Sequence, residues 1–416
     1  MHVLNRHRGR SSCRSCGGKL HSFVDLGVSP LCEKFLAPDQ TEEAEAFYPL
    51  DAKVCGTCWL AQLGEYVAPA DIFGEYAYFS SFSQAWLAHA RDYALMSVDR
   101  FKLNSSSMVI EAASNDGYLL RNFVARGIPC LGIEPAANVA RAAEAAGVPT
   151  RVGFLTASLG RDLAAKGLRA DLLIGNNVLA QVPDLNDFVA ALRELLKMEG
   201  VLTLEFPHLL RLLEQNQFDT IYHEHFSYFS LMAAEWILSA HGLRVFDVEE
   251  LWTHGGSLRL YVCRADARLE EQEGVRLVRA AERAARLDDL GTYAAFEARV
   301  RETKWKLLDL LIGLKRQRAQ IVGYGAPGKG NTLLNYCGIR TDFLDFTVDR
   351  NPYKHGKLLP GSRIPVRAPE ELDKQRPDYV LILPWNLKHE IMQQLSHVRD
   401  WGGRFILPVP EPEIVG

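Results

Sequence analysis

The sequence predicts an α/β protein with two regions of alternating strands and helices behind a small cysteine-rich N-terminal part. Three observations carry this reading. Short apolar runs alternate with helix-like segments from about residue 71 to 265 and again from Ala319 onward, the pattern of parallel sheets wound with helices. A long charged stretch with apolar residues three and four apart separates the two regions. Two Cys-x-x-Cys pairs fall within residues 1 to about 70, which are rich in Cys, Pro and Gly. The boundaries read from these shifts are 1–70, 71–265 and 266–416.

The elements follow in order. Ser107–Glu111 reads as a strand, Asn115-Asp116-Gly117 as a turn and Tyr118–Arg126 as a helix. Cys130–Glu134 is the next strand, and Ala136–Ala146 an Ala-rich helix ended by Gly147. Asp171–Gly175 and Gly200–Glu205 are two more strands. From Arg268 to about Arg318, Val275 and Val278, then Leu287 and Leu290, then Leu307, Leu308, Leu311 and Leu314 recur at helical spacing. This reads as one or two amphipathic helices linking domains. Beyond them, Gln320–Gly325, Phe343–Val348, Tyr379–Pro384 and Arg404–Pro408 read as strands of a second sheet.

Composition bounds the function. The chain has 416 residues, 48% hydrophobic and 24% charged, which excludes wholesale disorder. A formal net charge of -4 and a pI of about 6.3 give no basic field for a nucleic-acid polymer. Eight cysteines are few for a disulfide scaffold of this length. The basic N-terminus MHVLNRHRGRSSC lacks an apolar core, so it does not read as a secretory signal. No apolar run is long enough to span a membrane. The expected compartment is the cytoplasm, where cysteine pairs are more often metal ligands than disulfides.

Cys13-Arg14-Ser15-Cys16 and Cys55-Gly56-Thr57-Cys58 supply four thiolates, a set that suits tetrahedral Zn²⁺ at about 2.3 Å per bond. Four thiolates close the coordination shell, so the metal would be structural. Residues 17–54 separate the pairs, longer than a usual ribbon, but loop length costs little entropy. Two unrelated pairs or a redox motif are the other readings. Cys32, Cys130, Cys263 and Cys337 lack paired spacing and read as core or incidental residues.

Glu111-Ala112-Ala113-Ser114-Asn115-Asp116-Gly117 follows the first middle strand. Glu134 ends the second, roughly 20 residues later, where an acidic residue can accept both ribose hydroxyls. The turn is not Gly-x-Gly-x-x-Gly, so an adenosyl ligand without phosphates fits better than a dinucleotide. Glu111 and Asn115 would lie near its polar tail. Glu134 as an ordinary surface carboxylate is the plainer reading.

A second glycine-rich turn, Gly323-Tyr324-Gly325-Ala326-Pro327-Gly328, matches Gly-x-Gly-x-x-Gly, with Asp349 at the end of the next strand. It could bind NAD, which supports a nucleotide-sugar oxidoreductase as the alternative function. Gly323–Lys329 also reads as a P-loop, but Gly330 stands where Ser or Thr must hold Mg²⁺. A tight turn that binds nothing is the third reading.

Tyr222-His223-Glu224-His225 concentrates acid–base groups. A histidine beside a carboxylate is equipment for a general base near pH 7, and a tyrosine can stabilise an oxyanion. A metal pair or a polar loop would look similar. Tyr76-Ala77-Tyr78-Phe79-Ser80-Ser81-Phe82-Ser83, followed by Trp86 and His89, interleaves aromatics and hydroxyls, suited to sugar or adenine contacts or to helix packing.

With these motifs in this order, the chain resembles the nucleotide-sugar C-methyltransferases, which act at C-3′ of dTDP-4-keto-deoxysugars in antibiotic pathways. The resemblance covers essentially the whole chain. It implies a zinc-binding N-terminal domain, a central Rossmann-like methyltransferase domain that takes S-adenosylmethionine, and a C-terminal Rossmann-like domain that helps hold the dTDP-sugar. His225 would remove the C-3′ proton, with Glu224 and Tyr222 orienting the base or the ketone and Tyr76 close by. Glu111, Ser114, Asn115, Gly117, Glu134 and Asn177 would hold the methyl donor. Tyr78, Ser80, Ser81, Gly325, Lys329 and Asn331 would contact the sugar nucleotide, and Cys13, Cys16, Cys55 and Cys58 the zinc. A monomer is expected. One position departs from the family: Gln181 stands where His is usual, and Gln cannot take a proton at neutral pH. Proton removal would then rest on His225.

Overall fold

A computed structural model describes residues 12–73, 80–82 and 84–416. The chain divides into two compact units, each drawn from separated stretches. The first comprises Met1–Leu20, Cys55–Leu209 and His225–Asp288.

Its centre is a seven-stranded sheet. The strands are β1 (Val109–Ala112), β2 (Cys130–Glu134), β3 (Thr150–Val152), β4 (Ala170–Asn176), β5 (Leu196–Pro207), β6 (Leu243–Leu251) and β7 (Ser257–Arg264). Their spatial order is β6-β7-β5-β4-β1-β2-β3. β1 pairs in parallel with β2 on one side and β4 on the other, whereas β7 runs antiparallel to β5 and to β6. The order reverses direction at β1 and β4, so the crevice at their carboxyl ends is the switch point where ligands of such sheets bind.

Helices α1 (Gln84–Phe101), α2 (Ala137–Ala145), α3 (Ala157–Ala165), α4 (Leu185–Leu195), α5 (Leu231–Ala240) and α6 (Glu273–Ala284) belong to this unit. α4 shows why they form: Leu185, Phe188, Val189, Leu192 and Leu195 recur at three and four and are buried. Asp184 caps its first turn, accepting from Asp187 N–H at 3.2 Å.

A buried acid ties α6 to α5. Glu282 on α6 accepts from His208 Nε2 at 2.8 Å and from the backbone amides of Leu231 and Met232 at 2.5 and 3.0 Å. One carboxylate thus satisfies two N–H groups that the start of a helix leaves without intrahelical partners.

The second unit comprises His21–Val54, Leu210–Glu224 and Asp289–Gly416. α7 (Leu290–Arg316) buries Tyr293, Phe296, Val300, Leu307, Leu311 and Leu314 along one face. Phe23, in the extended stretch 21–29, meets the Tyr293 ring edge-on at 5.3 Å. The six-stranded sheet contains β8 (Ile321–Tyr324), β9 (Thr347–Val348), β10 (Val366–Arg367), β11 (Tyr379–Ile382), β12 (Arg404–Leu407) and β13 (Glu413–Val415). Their order is β10-β9-β8-β11-β12-β13. All pairs are parallel except the last. α8 (Gly328–Cys337) follows β8 directly. The charged stretch therefore forms two helices, α6 and α7. Two elements are shorter than the sequence pattern suggests: the strand expected over Phe343–Val348 is paired only at Thr347–Val348, and the helix expected over Tyr118–Arg126 is regular only at Arg121–Val124. Among the described residues no helix is long and apolar enough to cross a membrane.

Removing the Glu282 carboxylate leaves His208 and two helix amides without a partner in the core. Glu282→Ala is expected to lower unfolding stability by about 3–5 kcal/mol, read from denaturant midpoints at constant slope.

Candidate active site

The functional side chains fall into three constellations. The first is the cysteine centre of the first unit. The Sγ atoms of Cys13, Cys16, Cys55 and Cys58 all lie within 4.8 Å of one another. Cys13–Cys58 and Cys16–Cys55 are each 3.5 Å apart. A tetrahedron with Zn–S bonds of about 2.3 Å has sulfur edges of about 3.8 Å, so the cluster fits that ion. Its surroundings favour thiolate. Backbone N–H groups of Ser15, Gly18 and Thr57 point at Cys13, Cys16 and Cys55 at 3.4, 3.4 and 3.3 Å. Gln62 Nε2 donates to Cys13 Sγ at 3.2 Å. Asn186 on α4 donates to the carbonyls of Arg14 and Ser15 at 3.1 and 3.0 Å, which docks the metal loop on the sheet's helices.

The second constellation lies at the carboxyl ends of β1, β2 and β4. Ala113, Asn115 and Gly117 have φ of 55°, 49° and 76°. The turn after β1 is thus wound through left-handed conformations that non-glycine residues adopt only when held. Glu134 supplies the hold: one oxygen accepts Asn115 N–H at 2.9 Å and the other Ala136 N–H at 2.8 Å. The buried Glu111 carboxyl is pushed well above its ordinary value by burial, and further by the charges of Glu134 and Asp116. Burial also raises Glu134, against its two backbone hydrogen bonds. Buried oxygens of Glu111, Ser114, Asp116, Asn176 and Asn177 lack a hydrogen-bond partner among the described residues. Apart from the Ser114 hydroxyl, which also donates, these oxygens belong to carboxyl and amide groups, and such a set calls for a ligand rich in donors or positive charge. The ammonium and sulfonium of S-adenosylmethionine meet that need, and a pyrophosphate does not.

Of the residues expected at this place, Glu111 lies near the end of β1 and Glu134 ends β2, while Ser114, Asn115 and Gly117 lie on the turn after β1 and Asn177 on the turn after β4. Ser80 and Ser81, expected at the sugar, bond the same turn: their amides donate to Asn115 Oδ1 at 2.9 Å and Asp116 Oδ2 at 3.2 Å. Gln181 ends the short 3₁₀ turn Leu179–Gln181 that follows Asn177. Tyr76 and Tyr78 lie outside the described residues.

The third constellation is in the second unit. Lys329, on the first turn of α8, donates to Asn386 Oδ1 at 2.8 Å, and its ammonium sits 4.6 Å from the Trp385 ring centre. Trp385 Nε1 donates to the buried Asp219 carboxylate at 2.6 Å. Burial lowers Lys329 to about 8, opposed by Asp219, and raises Asp219 to about 6. Asn331 Nδ2 donates to the Cys32 carbonyl at 2.6 Å, and the Cys32 thiol is 3.5 Å from Glu224 Oε1. A Cβ on Gly328 would lie 2.9 Å from Cys32 Sγ and 3.7 Å from Tyr222 Cζ. Gly325, at φ 87°, is required by Pro384, whose ring would lie 2.6 Å from a Cβ there. The chain's own packing therefore accounts for these glycines without a dinucleotide.

The Tyr222–His225 stretch divides by burial. His223 is buried and its Nε2 meets the Pro49 carbonyl at 3.1 Å; burial lowers its pKa. Tyr222 and His225 are half-buried. Tyr222 and Glu224 belong to the second unit and His225 to the first.

Comparisons with known proteins decide the family. Models described as "Putative zinc binding domain", "Methyltransferase domain" and "C-methyltransferase C-terminal domain" match residues 13–73, 74–248 and 252–410. The C-methyltransferase NovU of Streptomyces niveus is 36% identical over 404 residues, covering 97% of this chain and 96% of the relative. The chain belongs to the C-methyltransferase family.

Solved structures resemble part of this C-methyltransferase more distantly. The magnesium protoporphyrin IX methyltransferase of Synechocystis PCC 6803 with bound SAH is 16% identical at a TM-score of 0.35, over 43% of this chain and 83% of its own. The PH0226 protein of Pyrococcus horikoshii OT3 is also 16% identical, at 0.36, over 48% and 96%. The donor of this C-methyltransferase is S-adenosylmethionine, and the acceptor-rich crevice suits it.

One buried polar group of the enzyme belongs to no sequence motif. Glu205 on β5 is fully buried and meets His89 Nε2 at 3.1 Å and Arg259 at 2.9 Å. Glu205 and Arg259 face each other across the β5–β7 register, a pairing visible only once β7 is known to be antiparallel.

The purified enzyme is expected to carry one zinc per chain by atomic absorption. Cys58→Ser should lower both zinc content and melting temperature, because structural zinc contributes folding energy directly.

Proposed function

We propose that the enzyme transfers a methyl group from S-adenosylmethionine to C-3′ of a dTDP-4-keto-deoxysugar, as a step in antibiotic deoxysugar biosynthesis. The observation that carries the reading is the division of labour in Tyr222–His225. His223 is committed to Pro49, which leaves His225 as the imidazole for proton transfer and Tyr222 as the hydroxyl for the ketone. In this reading the C-4′ ketone acidifies C-3′. His225 takes the C-3′ proton, and the C–H electrons pass into an enolate. The enolate carbon then forms a C–C bond with the donor methyl as the S–CH₃ bond breaks, leaving a neutral sulfide. Glu224 orients His225, and Tyr76 and Gln181 lie near the reacting sugar. Lys329, with Asn331 and Gly325, faces the nucleotide phosphates, while Tyr78, Ser80 and Ser81 line the approach. Glu134 takes the donor's ribose hydroxyls, and Glu111, Ser114, Asn115, Gly117 and Asn177 surround its amino-acid tail. The domain division 1–70, 71–265 and 266–416 belongs to the same proposal.

Two measurements test it. Incubation with a dTDP-4-keto-deoxysugar in deuterated water, without methyl donor, is expected to exchange the C-3′ hydrogen, and His225→Ala to abolish the exchange. Full exchange in His225→Ala would reassign the base. The second is a pH profile. Lys329 loses its proton at about 8, so an ammonium that binds phosphate is present below that pH and lost above it. KM for the sugar nucleotide should rise about tenfold per pH unit above pH 8. Lys329→Met should raise KM at all pH and remove that limb.

A further inference from the structure

We propose that the donor crevice trades a proton for its ligand: Glu111 carries a proton in the donor-free enzyme and gives it up when the positively charged donor binds. The inference rests on S-adenosylmethionine occupying the crevice at the ends of β1, β2 and β4, and not on the identity of the acceptor sugar.

Three carboxyl groups share this crevice, and the chain treats them unequally. Glu134 receives two backbone amides, from Asn115 at 2.9 Å and Ala136 at 2.8 Å. Asp116 receives one, from Ser81 at 3.2 Å. Glu111 receives none of these amides. It is only 1% exposed, and its buried Oε2 has no hydrogen-bond partner among the described residues. Amide N–H groups aimed at a carboxyl favour its ionised form, and burial without them opposes it. The first proton taken up by the three therefore goes to Glu111.

No neighbouring element supplies a countercharge. Glu111 lies in the middle of the sheet, beside Gly132 of β2 and Ile174 of β4. From β2 it is faced by Glu134 and by the Cys130 thiol, which burial holds neutral at about 11. From the turn after β1 it is faced by Asp116. On α1 the titratable neighbour is Tyr93, raised by burial to about 12 and bonded to the Thr203 hydroxyl at 2.6 Å. Arg259 of β7 lies over that ring, 4.6 Å from its centre, and is committed to Glu205 and Glu249 at 2.9 and 3.1 Å. Burial first, then the negative charges of Glu134 and Asp116, all oppose ionisation of Glu111.

A bound cation reverses that balance. The donor brings an ammonium and a sulfonium, and an opposite charge close by favours the carboxylate. The Glu111 O–H bond then breaks, its electron pair stays on the carboxylate oxygen, and the proton passes to solvent. One positive charge replaces another in the crevice, so donor affinity is linked to pH.

The test titrates the full zinc-loaded chain calorimetrically with S-adenosylmethionine between pH 6 and 7, in two buffers of different ionisation enthalpy. The difference in heat reads the protons released. About one proton per donor bound is expected, with affinity rising about tenfold per pH unit. Glu111→Gln keeps the shape of the protonated side chain but cannot ionise. It should release no proton, bind with an affinity independent of pH, and bind about tenfold more weakly at pH 7. The donor-free chain gives a second readout. A carboxyl raised in the folded state costs stability as pH climbs above about 4.3, its unfolded value. The melting temperature of the unaltered chain should therefore fall relative to Glu111→Gln between pH 5 and 8. Donor binding without proton release would overturn this inference and leave the donor assignment standing. Release that persists in Glu111→Gln, an affinity of that variant within twofold of the unaltered chain at pH 7, or melting temperatures that stay parallel would overturn it equally. Failure of the unaltered chain to bind the donor would overturn the donor assignment, and this inference with it.

Discussion

The Glu134 carboxylate accepts the Asn115 amide at 2.9 Å, and the donor side of the first unit is arranged around that bond. Asn115 sits at a φ of 49°, a conformation a non-glycine residue keeps only when its surroundings fix it. The bond joins the end of β2 to the turn after β1, and the parallel β1–β2 register brings the two within reach. With Asn115 held, its side chain can receive Ser80, and the lead into α1 is drawn over the same turn. The cost is a pair of buried carboxyls, Glu111 and Glu134, whose pKa values rise. A cationic ligand offsets that cost, which ties the electrostatics of the crevice to the chemistry of the donor.

The second unit meets a different demand. A lysine lowered to about 8 and an aspartate raised to about 6 are both charged only between those values. Trp385 and Asn386 each supply one of the hydrogen bonds that burial demands of the pair. The zinc centre needs no such compromise. Its four sulfurs are close already, and backbone amides point at three of them.

Much of this was legible in the sequence where a local pattern carries the physics. Cys130–Glu134 reads as a strand and is one, because a buried parallel strand is a short apolar run. The two Cys-x-x-Cys pairs announced the metal cluster, since ligand spacing within each pair is local. The antiparallel strands β6 and β7 were not foreseen, nor was the role of residues 21–54 in the second unit. Those depend on partners far along the chain. Glu205 was read only as the end of a strand, because its partners His89 and Arg259 come from α1 and β7. The Gly323–Gly328 motif had the opposite fault. It matched a dinucleotide pattern, yet Gly325 and Gly328 are required by Pro384 and Cys32 of the same chain.

The most direct test of the account is the fate of an isotopic methyl. The enzyme would be supplied with S-adenosylmethionine labelled with ¹³C in the methyl group and with a dTDP-4-keto-deoxysugar, and the product read by carbon-detected correlation spectroscopy. The account predicts a labelled methyl bonded directly to C-3′, with the C-3′ hydrogen gone. A label bonded to oxygen or nitrogen, or a C-3′ that keeps its hydrogen, would contradict it.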